Sequence, residues 1–139
     1  MVNLQFAEAA RVYFVHGYPT MTIVSQAPGL PNEGAVLVAP DNYVVDFVEG
    51  KKVIASPVSP IAYRGSSTGC YFLKRELVER LIPEHGPYSL ERGLIPDLVA
   101  LSLLAASSIG KRFVWDYGTP ERIAYLNRRI EVITNIYGT

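Results

Sequence analysis

The sequence predicts a single mixed α/β domain, in which a small mixed β-sheet is flanked by helices. Three observations carry this expectation. Stretches rich in β-branched residues alternate with stretches whose apolar residues recur at helical spacing. Pro40-Asp41-Asn42 separates two short apolar runs, which is turn chemistry and makes a hairpin. Thr119-Pro120 joins an N-capping side chain to a proline at the first helical position, and so opens a helix. At 139 residues the chain fits one domain, residues 1–139, with room for a real core.

Taken in order, Asn3 caps a first helix that runs to about His16, where Gly17 offers the left-handed stop. Leu4, Ala7, Phe14 and Val15 are expected to face the core. Thr20–Ser25 is β-branched and reads as a strand. Residues 27–34, with two prolines and two glycines, form a loop. The hairpin strands are 35–39 and 43–48. Residues 51–64 are extended, and Pro57 and Pro60 confine them to an edge or irregular strand. Gly65-Ser66-Ser67-Thr68-Gly69 reads as a loop, followed by a strand at 70–73 and a helix at 74–82 that stops at Pro83. Leu77, Val78 and Leu81 share one side of that helix. Ser89 caps the next one, which carries Leu90, Leu94, Leu98 and Leu101, and Pro96 inside it should kink or restart it. Phe113-Val114-Trp115 is a short strand ahead of a last helix that runs toward Tyr137.

Thirteen basic residues balance thirteen acidic ones, so the electrostatic drive toward nucleic acid is lacking. Nine scattered tyrosines form no stacking ladder for single strands. The longest apolar run, residues 98–106, is interrupted by Ser102 and is too short to span a membrane. Residues 1–6 carry neither a basic leader nor an apolar signal run, and the lone Cys70 suits a reducing compartment. A cytoplasmic protein without nucleic-acid or membrane partners is expected.

The most informative stretch is Trp115-Asp116-Tyr117-Gly118-Thr119-Pro120-Glu121-Arg122. It sets a carboxylate at the end of a strand, then a glycine turn, then a capped helix. Carboxylates at the carboxyl ends of strands line the ligand crevice of open α/β sheets, and beside phosphates they hold Mg2+ through one or two oxygens. A plainer reading gives Asp116 only turn amides to satisfy. Arg122 is the arginine nearest to a phosphate bound there.

This run resembles the Asp-x-Gly-Thr-Pro segment of sugar-1-phosphate nucleotidyltransferases of the mannose-1-phosphate and heptose-1-phosphate guanylyltransferase type. Gly34, opening the strand 35–39, is similar to that family's sugar-contacting glycine. Phe47-Val48-Glu49 resembles its Phe-x-Glu-Lys-Pro segment, whose Glu and Lys contact sugar hydroxyls and phosphate. Ser67-Thr68-Gly69-Cys70-Tyr71-Phe72-Leu73 resembles the Asn-Ala-Gly-Ile-Tyr strand beside the sugar. Ser89-Leu90-Glu91-Arg92, then Ile95-Pro96-Asp97-Leu98, resembles the Ser-x-Glu helix start and its downstream Leu-Pro. The order of these five landmarks carries the resemblance. It implies a partial nucleotide-diphospho-sugar transferase (Rossmann-like) fold corresponding to the family's C-terminal half. It further implies that Gly34, Glu49, Thr68 and Gly69 contact a sugar-1-phosphate, with Lys51 as a displaced member, and that Asp116 holds Mg2+.

The departures shape the functional expectation. Gly50 follows Glu49, Lys51 comes one place late, and Ser67 stands where the family has asparagine. No Gly-x-Gly-x-Arg loop, Lys-Pro segment or Gly-Asp metal site occurs in the 139 residues. No catalytic residue is therefore assigned. One expectation is a sugar-phosphate-recognising domain that transfers a nucleotide only with a separate nucleotide-binding subunit supplying the triphosphate and Mg2+ site. The other is a non-catalytic remnant serving as an oligomeric binding or structural module. Strand edges and an apolar face left uncovered predict a homo-oligomer or that second subunit.

Other motifs compete weakly. Gly65 to Gly69 fits the Gly-x-Ser-x-Gly elbow of hydrolases, but a strand follows it where a helix is needed, and His85 precedes Asp97 and Asp116. As a loop, the same residues could bind phosphate through successive amides. His16 and His85 have no metal-ligand company, and Cys70 reads as a small buried strand residue.

Overall fold

The computed structural model describes residues 6–27, 35–48, 60–112 and 119–127, with backbone alone for Phe6, Arg122 and Leu126. The expected cap at Asn3, the strand at 113–115 and the last helix beyond Asn127 lie outside these residues. Within them the order is α1 (Phe6–His16), β1 (Thr20–Ser25), β2 (Ala35–Val38), β3 (Val44–Val48), β4 (Tyr63–Leu73) and α2 (Arg75–Leu81). A π-helical turn (Leu90–Leu94), α3 (Ile95–Ala100), β5 (Leu104–Ser108) and α4 (Pro120–Asn127) follow. The result is a mixed α/β fold. Its five strands lie in the order β3-β2-β4-β1-β5, with β1 and β5 parallel and the other pairs antiparallel.

All six residues of β1 are buried, which fits a strand covered on both faces. Alternation along it divides the apolar interior in two. Met21 and Ile23 face α1 and pack with Ala9, Tyr13 and Ala105. Val24 packs on the other side with Leu94, Ile95 and Leu98, beside Leu104 and Ala106 of β5. Thr20 and Thr22 are buried, and each donates its hydroxyl to a carbonyl, Leu103 O at 2.6 Å and Cys70 O at 3.4 Å.

The hairpin forms as expected. Asn42 takes the left-handed conformation (φ 68°), and Ala39 N donates to Tyr43 O at 2.9 Å. Its tip reaches β5, because Ala106 N donates to Asn42 O at 2.8 Å and Tyr43 bridges Ala105. Gly17 ends α1 at φ 63°. Ser89 Oγ accepts from Arg92 N at 3.1 Å, and the π-helical turn gives way to α3 at Ile95-Pro96, so the proline restarts the helix.

Three expectations are corrected. Ala7, Phe14 and Val15 do not face the core of the described residues; Phe14 is 74% and Val15 73% exposed. The buried face of α1 is Ala9 and Tyr13 with Val12, because Tyr13 stacks on Phe72 of β4 at 5.2 Å. Residues 65–69 are not a loop but part of β4. β5 was unforeseen: Ser102 turns left-handed (φ 56°) after α3, and the apolar run resumes as strand two residues later.

Candidate functional site at the β4 bulge and the carboxyl end of β1

Residues 63–65 of β4 pair with β2, and residues 66–73 pair with β1. Gly65 serves a close approach. A Cβ there would lie 2.4 Å from Val24 Cγ1 and 2.5 Å from the Ser25 carbonyl oxygen, so only glycine lets β1 pass. Further along, Val24 pairs with Ser67 while Thr22 pairs with Tyr71, so β4 carries extra residues opposite Ile23. This is a β-bulge centred on Thr68 and Gly69, with Gly69 left-handed at φ 75°.

Local hydroxyls hold the bulge in shape. Thr68 Oγ1 donates to Ile23 O at 3.0 Å, Ser67 Oγ accepts from Gly69 N at 3.2 Å, and Ser67 Oγ bonds Tyr71 Oη at 3.1 Å. Gly69 is exposed and Thr68 half-buried. Bulges re-aim side chains and recur next to active sites. The strand also removes the hydrolase-elbow and phosphate-nest readings, since Ser66 and Ser67 pair with Ser25 and Val24.

The bulge lies level with the carboxyl ends of the parallel pair, the position where open α/β sheets take ligands. Val24 pairs with Ser67 on one side and Ser108 on the other. Ser25 Oγ donates to Arg112 O at 2.5 Å and accepts from Ala27 N at 3.2 Å, while Gln26 N donates to Gly110 O at 2.7 Å. The chain leaving β5 is thereby stitched to the chain leaving β1, up to the residue four places before Asp116. Ser25, Ser107 and Ser108 at this end escaped the sequence reading; their signal was hydroxyl residues closing two β-branched or small-residue runs.

Of the expected site residues, the structure brings Thr68 and Gly69 together in one bulge. Gly34, Glu49, Lys51 and Asp116 lie outside the described residues, and Arg122 is described by its backbone alone. No group of three or more His, Cys, Asp or Glu that could hold a metal occurs among the described residues. His85 is exposed, His16 is exposed and stacks on Tyr18 at 5.3 Å, and Cys70 packs half-buried in the α1-side core. What the bulge offers chemically is an exposed glycine and hydroxyl oxygens that share hydrogen bonds within it. The exposed cations Arg64, Lys111 and Arg112 lie on the flanking segments. No described helix is long and apolar enough to cross a membrane.

No protein-family profile matches the chain, and a search of curated proteins found no match. Among solved structures, HddC from Yersinia pseudotuberculosis matches 93% of this chain with a TM-score of 0.65 at 16% sequence identity. The match takes in 51% of HddC, so this chain spans about half its length. At that identity the likeness is one of fold.

Proposed function

We propose that this chain is a sugar-1-phosphate-recognising domain of nucleotidyltransferase type, built on a partial nucleotide-diphospho-sugar transferase fold. It contacts the sugar at the β4 bulge and works with a partner that supplies the nucleoside triphosphate site. One observation carries the reading: Thr68 and Gly69, which the resemblance puts beside the sugar, fall in a glycine-centred bulge near the carboxyl end of β1, where open α/β sheets take ligands. The likeness to HddC over about half that chain supports it.

Gly69 lacks a Cβ, so a sugar ring can approach its backbone, and Thr68 Oγ1, which donates to Ile23 O, keeps lone pairs for a sugar hydroxyl. Gly34 and Glu49 add sugar contacts in this proposal, and Lys51 a phosphate contact. In the complete site a sugar-phosphate oxygen attacks the α-phosphorus of the triphosphate in line, and pyrophosphate leaves. A phosphate monoester is already anionic, so positioning carries the step and no general base is needed. Mg2+ would neutralise the phosphates, with Asp116 as this chain's proposed ligand.

Calorimetric titration with a panel of sugar-1-phosphates tests this. At least one should bind, and Thr68→Val should weaken it by about tenfold, the worth of one lost hydrogen bond. Binding by none of the panel would sink the reading. Pyrophosphate release by the chain alone, abolished in Asp116→Ala, would remove the need for a partner.

A further inference from the structure

The outer face of α1 is apolar where a surface helix is ordinarily polar. Ala9 and Tyr13 turn inward, and Tyr13 stacks on Phe72 of β4. On the opposite side Ala7, Glu8, Arg11, Phe14 and Val15 are all exposed. At about 100° per residue these positions fall within about 120° of the helix circumference, so they form one stripe. Phe14 and Val15, 74% and 73% exposed, are the most exposed large apolar side chains among the described residues. Single apolar side chains are ordinary at a surface, whereas adjoining ones on one stripe mark an interaction site. Phe14 is also held in place, because it meets the buried Tyr13 edge-on at 5.1 Å.

The charges on the stripe are available. Among the described residues the only ion pair joins Arg75 to Glu79, so Glu8 and Arg11 stand unpaired there.

We infer that this stripe is an interface with a second copy of the chain, in which two α1 helices pack antiparallel about a twofold axis. The stripe carries one acid and one base, so neither an acidic nor a basic partner is favoured along it. A reversed copy of the stripe is favoured, because reversal sets each charge against its opposite. With the axis between residues 10 and 11, Phe14 of each copy lies level with Ala7 of the other, a large side chain over a small one. Glu8 of each copy is then two residues, about 3 Å along the helix, from Arg11 of the other, within reach of an ion pair. The Arg11 stem covers apolar surface between them. A parallel pair would instead set Glu8 against Glu8 and Arg11 against Arg11. A stripe this short is far smaller than the about twenty residues a side of a standard interface, so the association is weak and depends on concentration. It is independent of the proposed function.

Sedimentation equilibrium of the full chain, loaded from roughly 20 µM to 1 mM, tests it. The mean mass is expected to climb from 15.3 kDa toward twice that value, and Phe14→Lys to hold it at the monomer mass. Glu8→Arg and Arg11→Glu should each weaken self-association by about tenfold, since each turns two favourable pairs into repulsive ones. Mixing these two variants in equal amounts should bring the dimer back, because the basic stripe of one then faces the acidic stripe of the other. Far-ultraviolet dichroism equal to the parent's shows that these exposed substitutions leave the fold intact. A chain that stays monomeric at about 1 mM overturns the inference. So does a dimer that Phe14→Lys leaves intact, or a mixture of the charge variants that associates no better than either alone. No sugar phosphate enters these measurements, so this inference and the proposed function fail separately.

Discussion

Tyr63 stands at the start of β4, half-buried against Val38 and the core that α3 covers. Burial pushes its hydroxyl pKa up to about 12, with the charge of Tyr18 adding to the effect. The folded state therefore holds this proton more tightly than the unfolded chain, where a tyrosine titrates near 10. The resulting stability is fully present below about pH 10 and is lost as pH climbs through about 12. Ultraviolet titration should show one tyrosine ionising last, and Tyr63→Phe should remove it. The same variant should lose less thermal stability than the parent between about pH 10 and 12. Nothing in the local sequence marks Tyr63 for this; its setting comes from pairing with residues twenty-five places away. Thr68 and Gly69, by contrast, were singled out through the run from Ser67 to Leu73, and the structure sets them in a bulge beside the hydrogen bond between Ser67 Oγ and Tyr71 Oη.

At the scale of elements, strands whose burial is local were legible and those defined by partners were not. Thr20–Ser25 announces itself by β-branching, and Ser89 and Pro96 by capping and helix-breaking chemistry. β4 misleads because its glycines imitate a loop, whereas one admits β1 and the other turns the bulge. The phase of α1 misleads because Ala7, Phe14 and Val15 form as good an apolar stripe as Ala9 and Tyr13, and only Phe72 decides between them. The two glycine roles predict different costs. Gly65→Ala drives a methyl into Ser25 backbone and should cost about 1–3 kcal/mol. Gly69→Ala meets nothing within 4 Å and should cost only the left-handed strain, about 1–2 kcal/mol. Gly69→Asn should recover part of that loss, since asparagine tolerates the conformation, while Gly65→Asn should be worse than Gly65→Ala. Urea unfolding of the four variants checks the order.

For the whole molecule, β1 is the element that makes two apolar clusters one structure. Ile23 is 1% exposed and points toward α1, whereas Leu98 is fully buried on the opposite face. Truncating either to alanine should cost about 2–5 kcal/mol, the usual range for a buried aliphatic cavity. The clusters do not share these side chains, so the costs should add in the double variant to within about 0.5 kcal/mol. Yet each single variant should unfold in one transition, with far- and near-ultraviolet dichroism coincident, because neither cluster survives the loss of the strand between them. Two separated transitions would mean that α1 with its cluster melts alone.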